Sequence, residues 1–371
     1  MSRYFLFGTL MWDALLTDVA GGDVGCIRAT LNNWSVERAM AGDWPVLVCG
    51  GQATGYLTAP LDGTAKARLD WYEVAFGYAP EAVTVDGPEG AVSALVYREV
   101  GGAGGAGVPW SLTDWVAAHG ARTRLAAAEV MRGMGRVTPA EIAARRGVVQ
   151  SRAQGIVAAR NHRRVATVGG EGRTDQVDVQ RVDYPYEGFH RVEEWHLDYP
   201  RFDGTRSGIL QRAISHATDA ATVLPYDPVR DRVLLVEQIR IGALAKGDPQ
   251  PWMLEPVAGL IDAGETAETA AIRETAEEAG LNVDPQNFHF VGRYYPSPGG
   301  LAQILHSYVA VCDLPDDSDG LHGLDGEDED IRVHVVPLDD LLAMVASGEA
   351  VNAPLIISAQ WLALNRDTLR G

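Results

Sequence analysis

Cysteine is scarce in this 371-residue chain: Cys26, Cys49 and Cys312 stand far apart and form no C-x-x-C pair. An odd, scattered set argues against a disulfide framework or a paired-cysteine zinc site and fits a reducing cytoplasm. Positive charge is short as well. Fifty Asp and Glu face 31 Lys and Arg, a net charge of −19. That excess disfavours nonspecific adhesion to DNA, RNA or anionic membranes. A polyanionic substrate would have to be met by local arginines and metal ions. No apolar run approaches membrane-spanning length, and the one opening at Tyr4 is too short for a secretory signal. No internal repeat is visible. The expectation from these absences is a soluble, cytoplasmic protein without nucleic-acid or membrane partners.

What is abundant is core material. Hydrophobic residues make up 46% of the chain, enough for well-formed cores, and the length favours two domains. Residues 4–10 read as a buried strand entering a loop at Gly8 and Thr9. Residues 53–57 and 94–98 read as strands, and 64–74 as a helix. Residues 101–107 read as a flexible Gly-rich loop. Two helices are expected at 112–134 and 139–161, the second opened by Thr138 as N-cap and Pro139 at N1. A linker at 165–175 separates domains 1–165 and 177–371. Strands then dominate: 188–198, 208–216, 221–225, 232–239 after a turn at 227–231, 288–294, 307–312 and 331–336. An acidic loop spans 316–330, and helices at 338–347 and 354–365 close the chain.

One segment carries chemistry in its spacing. Glu274, Glu277 and Glu278 stand at i, i+3 and i+4, which share one face of a helix. Like charges at this spacing destabilise a bare helix, so something must compensate, and hard divalent cations prefer such oxygen ligands. Arg273 is placed to orient one carboxylate. Gly259 and Gly264 bracket a tight loop, and Gly280 is suited to end the helix. An ordinary acidic surface helix is the plain alternative. Yet every fixed position of the frame G-x5-E-x7-R-E-x-x-E-E-x-G is met between Gly259 and Gly280, and the segment resembles a Nudix box. Only Thr275 departs, standing where that family usually has an aliphatic residue. The resemblance implies an α/β/α sandwich with a mixed sheet. It also implies Mg2+ or Mn2+ as cofactor and hydrolysis of a nucleoside diphosphate linked to another moiety.

The flanks narrow this further. Val236-Glu-Gln-Ile-Arg-Ile241, Trp252-Met-Leu-Glu-Pro-Val-Ala-Gly259, Ser297-Pro-Gly-Gly300 and Glu327-Asp-Glu-Asp-Ile-Arg-Val333 resemble the ADP-ribose pyrophosphatase branch. That resemblance implies Glu274 and Glu278 as metal ligands, Glu277 as a third, and the Ala258 carbonyl as a backbone donor. Glu327 would be the general base, with Glu329 as its rival, and Arg273 and Glu277 would belong to the catalytic set. Arg212 and Arg240 would meet the diphosphate, where a guanidinium gives two parallel hydrogen bonds. Phe189 would stack on adenine, and Glu255 would hold the metal loop or a ribose. Ser297, Gly299 and Gly300 would bring backbone to the terminal ribose. The branch is homodimeric through this domain, with early strands exchanged, so Phe189 would serve the partner's site. A different nucleoside diphosphate sugar as substrate, or an ADP-ribose sensor without turnover, remain as alternatives.

Near the N-terminus, Phe5-Leu-Phe-Gly-Thr-Leu10, Leu69-Asp-Trp-Tyr-Glu73, Tyr78 and Ala94-Leu-Val-Tyr97 resemble γ-glutamylcyclotransferase-like proteins. The resemblance implies a closed β-barrel with helices, a γ-glutamyl-binding loop at Gly8, Thr9 and Leu10, and Glu73 as acid/base. Phe7 replaces the tyrosine common before the glycine, and the basic residue usual after Tyr78 is missing. A catalytically silent scaffold or sensor is therefore the competing reading, and a bifunctional enzyme the bolder one. The pairing of the two halves is similar to fusion proteins linked to tellurite resistance, which is a phenotype rather than a reaction.

Overall fold

Five strands close into a ring in the first of the two units into which the chain divides, Met1–His162 and Arg163–Gly371. The computed structural model describes residues 2–102, 104–165, 167–169, 173–315, 320–322 and 330–370. In the first unit the strands are β1 (Tyr4–Leu6), β2 (Cys26–Ala39), β3 (Pro45–Thr58), β4 (Tyr78–Gly87), β5 (Gly90–Glu99) and β6 (Gly105–Pro109). Their order β3-β1-β5-β4-β2 is closed by pairing of β2 with β3, and β6 adds to β2. Closure leaves few unpaired strand edges. Successive side chains of a strand face opposite ways, and β1 uses both faces. Phe5 enters the barrel core with Leu31, Leu57 and Val96, whereas Tyr4 and Leu6 pack under the helices.

Those helices are α1 (Asp13–Ala20), α2 (Gly63–Ala75), α3 (Leu112–Arg132), α4 (Pro139–Ala144) and α5 (Arg146–Asn161). Thr138 caps α4 in a reciprocal box with Glu141, and Pro139 opens the helix, as the start signal predicts. The single helix expected over 139–161 is instead two. Arg145 leaves helical geometry at φ −110° and ψ 15°, and its amide bonds back only three residues to Ile142. Gly147 stands two residues past this break, in the first turn of α5. The Gly-rich stretch at 101–107 is not all loop, because Gly105 begins β6. Two polar anchors tie the layers. Asp70 of α2 accepts hydrogen bonds from Tyr4 and Tyr97, both 2.7 Å, and pairs with Lys66. Arg152 of α5 forms a buried ion pair with Glu129 of α3.

The second unit holds β7 (Asp178–Glu187), β8 (Arg191–Asp198), β9 (Leu210–His216), β10 (Ala220–Asp227), β11 (Arg232–Ile239), α6 (Ile241–Lys246), β12 (Trp252–Glu255) and β13 (Val257–Leu260). It continues with α7 (Ala267–Ala279), β14 (Phe288–Tyr294), β15 (Leu301–Ala302), β16 (Leu305–Val311), β17 (Gly320–His322), β18 (Ile331–Pro337), α8 (Leu338–Ser347) and α9 (Ala353–Arg370). An eight-stranded mixed sheet runs β14-β16-β10-β11-β18-β17, with β12 on β11 and β13 on β10. Strands β10 and β16 are parallel and the other pairs antiparallel. On β11, Leu234 and Val236 pack toward α7, while Val233 and Leu235 pack toward α8 and α9. Helices thus cover both faces, which is why β10 and β11 read as continuous apolar runs. A smaller sheet runs β15-β9-β8-β7. Strand β7 escapes the sequence pattern because two bulges, at 179/181 and 183/186, break its alternation. Strand β17 lies inside the stretch expected to be an acidic loop.

The Glu129–Arg152 pair gives a stability test. Both side chains are under 10% exposed, so Arg152→Ala takes the guanidinium away from a buried carboxylate and should cost about 3–5 kcal/mol. Urea denaturation measures this, and an added Glu129→Leu change should restore much of the loss. A cost below about 1 kcal/mol, the level of a surface pair, would contradict the assignment.

Candidate active site

The loop from β13 into α7 brings the acidic positions to one place. Thr266 caps α7, and Gly280 ends it in the left-handed conformation at φ 65°, where glycine carries no steric penalty. Gly264 makes the turn at φ 102°. Arg273 sits at the centre. Its Nε and Nη2 both donate to Glu265 at 2.9 Å, and Nη2 also donates to the Leu260 carbonyl at 3.0 Å. Its Nη1 donates to Glu274 at 2.6 Å and to Glu277 at 2.9 Å. The expectation that Arg273 orients one carboxylate is therefore too modest, since it holds three. These contacts, led by Glu265, push the Arg273 pKa further up and hold Glu265 below the usual carboxylate range.

Glu278 is 2% exposed and accepts the Ala258 N–H at 2.9 Å. That bond fixes helix α7 to β13 and sets Ala258 beside the acidic face. Gly259 matters here for a reason other than backbone freedom. A Cβ there would lie 1.8 Å from the Glu274 carboxyl, so any other residue would push that carboxyl from its present place. Thr275, the departure from the family frame, is fully buried and donates its hydroxyl to the Ala271 carbonyl at 2.7 Å. Its polar atom is thus satisfied within the helix. Around Arg273 and Glu278 stand four carboxylates and one guanidinium, an excess of three negative charges if all ionise. The donors are oxygens without sulfur or imidazole, a set suited to Mg2+ or Mn2+.

Other expected residues fall into four groups. Arg240, at the end of β11, donates through Nε to Glu255 at 2.7 Å, so these two do meet. Ser297, Gly299 and Gly300 lie in an exposed loop whose Gly300 carbonyl accepts from Ser215 of β9 at 2.9 Å. Phe189, 57% exposed, occupies the β7–β8 turn, and Arg212 is exposed on β9. Glu327 and Glu329 lie outside the described residues. Sequence reasoning missed two participants. Glu265 was noted only as a fixed position of the frame, yet it makes the two-pronged grip on Arg273. Asn352 donates to the second oxygen of Glu255 at 2.8 Å, and its only sequence signal is its place just before α9. A further group, Asp183, Glu194 and His196, converges within 4.8 Å. Arg181 bridges it, at 2.8 Å to Asp183 and 3.1 Å to His196, making it an ion-pair network.

In the first unit, Gly8 follows β1 and a Cβ there would meet Pro45 at 2.6 Å, so Pro45 closes over this loop. Thr9 and Leu10 form a short 3-10 turn in which Leu10 is buried. Glu73 lies near the end of α2, and no hydrogen bond or ion pair to its side chain occurs among the described residues. Burial pushes its carboxyl up to about 8, and burial first, then the Glu73 charge, raises Tyr78. A cavity of about 30 Å³, room for one water, is lined by Phe7, Leu47, Tyr78 and Tyr97 among others.

Comparison with known proteins adds to this geometry. The NUDIX domain profile matches residues 216–357, wholly within the second unit. Over 199 residues the chain is 40% identical to the ADP-ribose pyrophosphatase of Escherichia coli (strain K12), covering 54% of this chain and 93% of that protein. It is 37% identical over 182 residues to the ADP-ribose pyrophosphatase of Haemophilus influenzae, covering 48% and 82%. It is also 32% identical over 150 residues to a GDP-mannose pyrophosphatase of Yersinia enterocolitica, covering 40% and 76%.

The Glu73 carboxyl offers a direct electrostatic test. Its folded pKa of about 8 exceeds the ordinary 4.5, so the folded chain keeps a proton that the unfolded chain releases. Stability should therefore fall as pH rises from about 4.5 to about 8. Glu73→Gln removes that loss. Thermal midpoints of variant and wild type should agree at the acidic end, diverge in favour of the variant between pH about 4.5 and about 8, and keep that gap above. A difference that does not change with pH would contradict the raised pKa.

Proposed function

The chain belongs to the Nudix hydrolases, and from that premise we propose ADP-ribose as its substrate: it hydrolyses the diphosphate to AMP and ribose 5-phosphate. The carrying observation is the oxygen-only acidic cluster seated on β13 by Arg273 and the Glu278–Ala258 bond. Glu274, Glu278 and the Ala258 carbonyl would hold Mg2+ or Mn2+, with Glu277 as a further donor. Such an ion, when bound, offsets the diphosphate charge and makes a water acidic enough to lose its proton near neutral pH. The residues themselves position and exchange protons. Arg273 keeps the carboxylates in register through its hydrogen bonds to Glu265, Glu274 and Glu277. Glu327 takes the proton of the attacking water, with Glu329 as the alternative.

On the substrate side, Arg240 and Arg212 supply the paired N–H groups that a phosphate accepts. Phe189 offers a flat apolar face for adenine, and the Ser297–Gly300 backbone meets the terminal ribose. Exposed apolar side chains support a homodimer through this unit: Tyr186, Phe189 and Ile209, with Ile241 and Trp252, are all more than half exposed. Solitary exposed hydrophobics are ordinary, but several on one unit suit an interface. In such a dimer Phe189 serves the partner's site. The similarity to GDP-mannose pyrophosphatases makes that nucleotide sugar the natural competitor in assays.

A second reading concerns the first unit. A carboxyl with a pKa of about 8 and no hydrogen-bonding partner among the described residues is poised for proton transfer. It favours γ-glutamyl cyclotransfer with Glu73 as acid/base over a silent scaffold. Incubation with γ-glutamyl peptides should release 5-oxoproline, and Glu73→Gln should stop it. No release by the wild-type protein would leave this unit a scaffold.

For the hydrolase, Glu278→Gln is the sharp variant. The amide oxygen can still accept the Ala258 N–H, so the seat survives while the charge is lost. Hydrolysis of ADP-ribose with Mg2+ should fall on the order of a hundredfold or more, with the thermal midpoint little changed. In a panel with Mg2+, ADP-ribose should outrank GDP-mannose in kcat/KM. Unchanged hydrolysis by the variant defeats the metal assignment, and a reversed ranking defeats the substrate.

A further inference from the structure

We propose that Asn352 is a positioning residue for diphosphate binding, acting through Glu255 to set the guanidinium of Arg240. The inference rests on the reading of Arg240 as a diphosphate contact. Its geometry is a relay of three side chains from three elements. Asn352 Nδ2 donates to Glu255 Oε1 at 2.8 Å, and Arg240 Nε donates to Glu255 Oε2 at 2.7 Å. Both Glu255 oxygens are thus held, one from each side. Glu255 is 4% exposed, while the Arg240 side chain is 41% exposed. The carboxylate is interior and fixed, and the guanidinium it grips reaches the surface.

Asn352 is itself fixed. Its Oδ1 accepts the Leu355 N–H at 3.1 Å, and its main-chain oxygen accepts the Ile356 N–H at 3.0 Å, so it caps the N-terminus of α9. Capping uses the oxygen end of the amide, which leaves the NH2 end for Glu255 and decides the orientation of the group. Helix α9 is in turn anchored in the core by Leu355, Ala359 and Leu362, each fully buried. A rigid helix is therefore wired to a long, flexible side chain at the surface.

Only asparagine performs both tasks. Aspartate caps a helix equally well but would set a second carboxylate against Glu255. Serine caps too, with a side chain too short to reach and no NH2 to give. The strand pairing explains why the relay matters here. Glu255 lies opposite Val236 on β11, four residues before Arg240, and three residues before Ala258. The same short stretch thus fixes a phosphate contact and the backbone donor of the acidic site.

The test uses the full chain and ADP-ribose with Mg2+. Asn352→Asp and Asn352→Ser both keep the cap; the serine variant's thermal midpoint should stay near wild type, while the aspartate, set against buried Glu255, should lower it. Each should raise KM roughly tenfold with kcat little changed, the pattern of lost uniform binding by an outer-shell partner. Arg240→Ala should raise KM at least as much, and adding Asn352→Asp to it should bring no further rise, because the two act in one chain. Unchanged KM in both Asn352 variants, or an equal further rise in the Arg240→Ala background, overturns the relay. If Arg240→Ala alone leaves both constants unchanged, Arg240 is not a diphosphate contact, and the reading beneath the relay is what fails.

Discussion

One guanidinium holds the hydrolase geometry together. Arg273 ties Glu265, Glu274 and Glu277 to one another and to the Leu260 carbonyl. Without it, carboxylates one helical turn apart would repel and splay. With it, the helix keeps an acidic face whose charge is only partly cancelled. That remainder is what a divalent cation can exploit. Two small features complete the seat. Gly259 leaves space that any side chain would fill, and Glu278 spends one oxygen on the Ala258 amide. In the proposed site, stability and function would draw on the same few contacts.

Charge is divided unevenly along the chain. Residues 1–162 carry 14 basic and 15 acidic side chains, whereas residues 163–371 carry 17 and 35. The unit that acts on a diphosphate is thus the acidic one. Long-range attraction cannot bring the substrate in, so affinity has to come from local cations and from preorganised arginines. If Arg240 meets the diphosphate as proposed, its orientation by Glu255 and Asn352 gains its importance here. A guanidinium already held in place loses less entropy on meeting phosphate than a freely rotating one.

The acidic cluster of the candidate site was legible because its spacing is rigid. A helix forces Glu274, Glu277 and Glu278 onto one face, and strand 232–239 was readable from its apolar run to the residue. What escaped depended on partners distant in sequence. Asn352 is 97 residues from Glu255, and nothing near it announces an acceptor. The grip of Glu265 on Arg273 spans eight positions across a loop whose path no periodicity predicts. In the fold, β7 was hidden by its bulges, and the break at Arg145 is marked only weakly, by Gly147 two residues on. The five-strand closure was expected only from resemblance, since it rests on pairings such as Phe5 with Leu57 that local sequence does not encode.

The central claim is that the acidic face of α7, as seated by Arg273, binds the ion that makes diphosphate cleavage possible. A crystal structure with Mg2+ and a nonhydrolysable ADP-ribose analogue tests it most directly. The account predicts an ion at about 2.0–2.1 Å from carboxylate oxygens of Glu274 and Glu278 and from the Ala258 carbonyl, with the diphosphate alongside. An ion bound elsewhere, or a diphosphate resting away from these residues, would contradict it.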